Sequence, residues 1–166
     1  MAKITDKKPK DKETPDTMDD IMKSDIVVRI KKMVMGLQKP KTSLKPYMNS
    51  LGDVYKQDTN DLEKWMAIFV QWENYYREIA EIYDSARTIA DSNLAYYWGM
   101  AVLGSEGTIN EKKEVAKSDS NYILAKNTYI FANTSYKALM LKAENCERGY
   151  RLISRIIGKR INIKEY

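Results

Sequence analysis

The sequence predicts an all-α protein, a long antiparallel helical hairpin with heptad-like stripes, assembling into a helical oligomer. From Leu62 to Met100, apolar residues recur at alternating steps of three and four, and a second such line runs from Val115 to Ile157. Between the lines, Gly104-Ser105-Glu106-Gly107 ends one helix. Thr108-Ile109-Asn110-Glu111 then matches a capping box, in which Thr and Glu satisfy each other's terminal amides. Two long helices joined by a short loop make an αα-hairpin.

Residues 1–17 are lysine, aspartate, threonine and proline with almost nothing to bury, so they predict a disordered tail. Residues 18–60 predict short N-terminal helices and a linker. Ile26, Val27, Ile30, Val34 and Leu37 mark an amphipathic helix over 25–37. Lys39-Pro40 through Lys45-Pro46 breaks it, because proline disfavours helical geometry in the residue before it. A short helix is expected around Tyr47–Tyr55.

Residues 61–166 predict the hairpin, with a basic C-terminal end. Its first line is Leu62, Trp65, Phe69, Trp72, Tyr76, Ile79, Tyr83, Ala86, Ala90, Asn93, Tyr97 and Met100. These are the a and d positions of a heptad repeat. Ile68, Tyr75, Ile82, Ile89, Tyr96 and Leu103 add an adjoining g line. Three apolar positions in seven make a stripe wide enough for more than one neighbour, which predicts self-association. Gly99 is expected to interrupt this helix near its end. The second helix is expected to run unbroken from the capping box, with Tyr122, Tyr129, Tyr136 and Tyr150 alternating with small residues. Those rings suit interface packing; aromatic faces also stack on single-stranded bases.

Composition excludes several functions. The chain has no His, so His-based triads and His metal ligands are ruled out. Gly104 and Gly107 are not followed by the Gly-Lys-Ser/Thr of a phosphate loop. Glu78 and Glu81 read as an exposed helix face rather than a cation site. Cys146, on a d position, reads as a small packing residue rather than a nucleophile. No cofactor, metal or catalytic residue is expected. A lone cysteine fits a reducing compartment. The run Met66–Val70 is too short to cross a bilayer, and no apolar leader opens the sequence. A cytoplasmic protein without a membrane partner is therefore expected.

The net charge of +5 is unevenly spread. Residues 61–147 hold nine basic and thirteen acidic groups, whereas 148–166 hold six basic and one acidic. Arg148, Arg151, Arg155 and Lys159 are spaced three, four and four, so they share a helix face, and Arg160 and Lys164 extend it. Cations suit a helix C-terminus through the macrodipole, but that accounts for one or two such residues, not six. Guanidinium groups contact phosphate oxygens in a bidentate way. A polyanion, nucleic acid first, is the expected ligand.

The stretch Trp72…Tyr76-Arg77-Glu78, with Leu94-Ala95-Tyr96-Tyr97-Trp98-Gly99, resembles the phage UvsY-type recombination mediators. Glu111-Lys112-Lys113-Glu114, Asp119 and the segment Ile153–Arg160 continue the similarity, which covers roughly residues 60–160. The resemblance implies a non-enzymatic, ring-like homo-oligomer in the host cytoplasm. It implies binding of single-stranded DNA and help for a RecA-like recombinase in displacing single-strand-binding protein. The family's basic residues ahead of the tyrosine pair are here Asp91, Ser92 and Asn93. DNA contact is therefore expected at Arg148, Arg151, Arg155, Lys159, Arg160 and Lys164, with Lys31 and Lys32. The alternative is a non-enzymatic structural or adaptor protein, a virion or assembly component whose basic end binds an acidic protein. A membrane-surface role is a weaker third reading, because the apolar stripe is already committed to helix packing.

Overall fold

A computed structural model describes residues 18–164; the expected tail over 1–17 lies outside them. All described elements are helical. They are α1 (Met18–Lys23), α2 (Asp25–Gly36), α3 (Lys45–Asn49), a 3-10 turn (Leu51–Lys56), α4 (Thr59–Leu103), α5 (Ile109–Lys117) and α6 (Ser120–Lys164). No helix among the described residues is long and apolar enough to cross a membrane.

α4 starts where the Asp58 carboxylate accepts a hydrogen bond from the Asp61 amide at 2.8 Å. It runs for 45 residues, as does α6, so each is about 67 Å long at 1.5 Å per residue. The two lie antiparallel. Trp98 meets Tyr122 at the loop end, Tyr83 meets Phe131 midway, and Phe69 meets Gly149 toward the open end. Ala80, Ala86, Ala90, Ala125, Ala132 and Ala143 are all buried, and these short side chains let the helices approach closely. The larger core sits at the open end, where Leu62, Phe69, Trp72, Cys146, Ile153 and Ile156 enclose Val54 of the 3-10 turn.

The N-terminal elements form a strap along this hairpin. Ile30 of α2 packs against Ala86 of α4 and Ala132 of α6, with Ile26, Val34, Ile82 and Tyr83 around it. Beyond α2, the Trp72 indole N–H donates to the Thr42 carbonyl at 2.8 Å, and the Lys39 ammonium stands 5.7 Å from the Trp72 ring centre. Tyr47 of α3 meets Trp65 edge-on at 5.3 Å. The strap thus runs from the middle of the hairpin to its open end.

Two expectations along the hairpin are corrected. Gly99 does not interrupt α4, which continues to Leu103. The second helix is not continuous from the capping box. The box forms as expected, with Glu111 accepting from the Thr108 amide at 2.7 Å, and Gly107 ahead of it takes φ +107°, a conformation suited to glycine. α5 then stops at Lys117, and Asp119 starts α6 by accepting from the amides of Asn121 and Tyr122 at 2.9 Å. Ser118 and Asp119 form side-chain bonds to nearby backbone, which compete with helix continuation.

Gly149 marks the tightest point of the seam. A β-carbon there would lie 2.7 Å from Cε1 of Phe69, whose ring is fully buried and has no room to retreat. Gly149→Ala should therefore destabilise the fold. Overpacking costs about 1–3 kcal/mol, more than the roughly 1 kcal/mol that alanine gains over glycine inside a helix. Chemical denaturation should show the loss, and adding Phe69→Leu should restore part of it. A single mutant more stable than the parent would mean that the two helices separate freely at this point.

Candidate nucleic-acid interface

The buried face of the last turns of α6 is set by Cys146, Gly149, Ile153 and Ile156. Arg148, Arg151, Arg155 and Lys159 interleave with these positions, so all four point outward and are exposed. Their predicted common face is thus the solvent side of the hairpin.

The four are not equivalent. Arg148 pairs with Glu144 at 3.9 Å, and Arg151 pairs with Glu147. Glu147 also receives Arg77 across the seam at 3.2 Å, and Arg77 holds Glu73 at 2.9 Å. Glu73, Arg77, Glu147 and Arg151 therefore form one ion chain between α4 and α6. Arg155 and Lys159 make no ion pair among the described residues, which leaves them the most available cations of the face.

Arg160 is placed differently from its neighbours. Its guanidinium donates to the Tyr55 carbonyl at 2.8 Å and to the Gln57 carbonyl at 2.7 Å. It caps the end of the 3-10 turn and ties the strap to the end of α6. Lys31 and Lys32 are exposed on α2, but their neighbour Ile30 packs on Ala132, sixteen residues before Arg148. That separation is about 24 Å along α6, so these lysines belong to a second basic region. Only the backbone of Lys164 is described.

Two residues that the sequence argument passed over bear on this surface. Lys137 is exposed and lies eleven residues, or three turns, before Arg148, so it extends the same face. The spacing was available in the sequence, but Glu144 between them obscured it. Tyr55 is an exposed aromatic ring whose backbone is held by Arg160, next to Lys159 in sequence. Nothing local marked it, because its placement depends on a contact 105 residues away. Three of the four tyrosines of the α6 line are engaged in packing: Tyr122 lies on Trp98, Tyr136 under the Arg87 guanidinium at 5.1 Å, and Tyr150 against the main core.

Cys146 is buried, and its thiol is pushed up to about 11, first by burial and then by the Glu73 charge. Among the described residues, no group of three or more acidic or cysteine side chains is placed to hold a metal ion. No family model, curated protein or solved structure matches the chain.

Two outcomes follow from this geometry. Arg160→Met keeps the length of the side chain but removes its donors, so it should cost about 1–3 kcal/mol by freeing two carbonyls, as read by denaturant midpoint. An unchanged midpoint would show that the strap is held without it. The Cys146 thiol should resist labelling in the folded chain at neutral pH and react fully on unfolding. Its pKa is raised on folding, so its stability contribution is complete below the usual thiol range and is lost as pH rises toward 11. Fast labelling of the folded chain would contradict this burial.

Proposed function

We propose that the protein is a recombination mediator that acts by binding. It would hold single-stranded DNA on the outward face of α6 and help load a RecA-like recombinase in place of single-strand-binding protein. The observation that carries the DNA-binding part is the exposed row Arg148, Arg151, Arg155 and Lys159, of which Arg148 and Arg151 pair with Glu144 and Glu147 and the other two make no ion pair among the described residues. The recombinase and the displaced protein come into this reading through the sequence resemblance alone.

The chemistry of such a face is phosphate neutralisation. Each phosphate contact on a single strand contributes about −0.7 to the slope of log affinity against log salt. One subunit with three or four cations binds modestly, and repeated subunits on one strand gain by avidity. Tyr55 adds a ring able to stack on an unpaired base, which favours single strands over duplex.

Arg155→Glu with Lys159→Glu tests the reading without disturbing an ion pair among the described residues. The double variant should lose most of its affinity for a labelled oligonucleotide, and its salt slope should flatten by roughly 1.4 per subunit. Helicity should not change. Tyr55→Ala should weaken binding while leaving the slope alone. If the double variant binds as the parent does, the basic face is a solvated helix end. An adaptor that contacts an acidic protein then becomes the better reading.

A further inference from the structure

The two long helices carry opposite charge. Between Thr59 and Leu103 there are three basic and seven acidic side chains, and between Ser120 and Lys164 nine basic and two acidic. The cations of α6 include a regular row. Lys126, Lys137, Arg148 and Lys159 follow one another at steps of eleven. Each is followed four residues later by an aliphatic residue: Ile130, Leu141, Leu152 and Ile163. Eleven residues make three turns and about 20°, so the repeat stays near one line of a straight helix. Its cations stand about 16.5 Å apart and span about 50 Å. All four are exposed, as are Ile130 at 49% and Leu141 at 55%, and Leu152 is half-buried beside the larger core.

The seam does not impose this period. Ala125, Ala132, Cys146 and Ile153, all buried, lie at multiples of seven, and an outer face that only mirrored them would repeat at seven as well. Roles inside the protein also fall off the row. Lys142 stands 5.6 Å from the Tyr76 ring centre, Arg151 pairs with Glu147, and Arg160 holds two carbonyls of the strap. On the row, Arg148 meets Glu144 at 3.9 Å, and Lys126, Lys137 and Lys159 make no ion pair among the described residues. A straight row of free cations alternating with aliphatic side chains suits an extended polyanion that has apolar parts of its own.

We propose that a single strand of nucleic acid lies lengthwise along α6, with its phosphates on the eleven-residue row and its bases against Ile130 and Leu141. This rests on the reading of α6 as a nucleic-acid face and deepens it: the site is the whole outer length of the helix, not its last turns. The acidic excess on α4 repels the strand from that flank. The aliphatic side chains select the form of the strand. A duplex turns its base faces inward and offers a flat surface only backbone and groove edges, whereas unpaired bases have free faces to cover. A strand stacked as in a duplex advances about 3.4 Å per nucleotide, so the row takes up to about 15 nucleotides. The stretch from Arg148 to Lys159 alone would take about five.

Titration of the full chain on long oligothymidylate tests it. At saturation each subunit should cover on the order of ten or more nucleotides. Lys126→Glu with Lys137→Glu should weaken binding about tenfold or more and flatten the salt slope by roughly 1.4 per subunit, with helicity unchanged. Lys126→Gln with Lys137→Gln should lower affinity in the same direction, which covers the case in which charge reversal disturbs the fold. Ile130→Ser with Leu141→Ser should weaken binding and leave the slope alone. Coverage of about five nucleotides per subunit overturns the lengthwise site, and so does equal affinity for a duplex. If Arg155→Glu with Lys159→Glu abolishes binding while the Lys126/Lys137 variants bind as the parent does, the lengthwise site fails and the DNA reading at the end of α6 stands. If neither pair matters, both fail. Capture by vesicles of anionic phospholipid without oligonucleotide binding overturns the proposal and gives the row to a membrane surface.

Discussion

The contact between Phe69 and the missing side chain at Gly149 governs the distance between α4 and α6, and most of the molecule depends on that distance. With a β-carbon excluded at 149, the ring fills the seam between Leu62, Trp72, Cys146 and Ile153. Farther along, the seam is kept narrow by alanines, which bury little surface each but let the two backbones come close. Close approach brings Glu147 within reach of Arg77, and the ion chain from Glu73 to Arg151 can then span the two helices. A wider seam would leave these charges as separate pairs within each helix.

A seam of small residues leaves little room for a large core between two helices. The strap supplies what the hairpin lacks. Ile30 fills the groove over Ala86 and Ala132, where the small side chains leave space. Val54 does the same at the open end, and Arg160 and the Trp72 indole pin the strap by hydrogen bonds to backbone carbonyls. The strap follows only part of the hairpin, so cover is uneven. The same apolar line on α4 is sheltered at Ile82 and bare at Leu103.

The cations of α6 show how one stripe can hold different roles. Arg151 belongs to the ion chain, Arg160 to the strap, and Arg155 and Lys159 to neither. A phosphate backbone approaching this face would find two ready cations and two that must share themselves with Glu144 and Glu147. Basic residues near a helix end also suit its macrodipole, so part of their electrostatic benefit is internal to the fold.

The sequence by itself determined the helices, their approximate ends, the loop with its capping box and the outward direction of the basic row. These follow from local periodicity and from side chains that bond to backbone within a few residues, as Thr108 does with Glu111. Even the break at Asp119 was local, although the continuing apolar line masked it. Tertiary structure alone decided that Arg160 turns inward onto the Tyr55 and Gln57 carbonyls and that Lys31 and Lys32 lie far from the main basic face. It also decided which half of the g line the strap covers. The physical reason is that helical periodicity assigns residues to faces, whereas the cover over each face comes from chain segments 30 to 105 residues away. A sequence pattern therefore identifies a stripe, and only packing decides whether core, solvent or another subunit receives it.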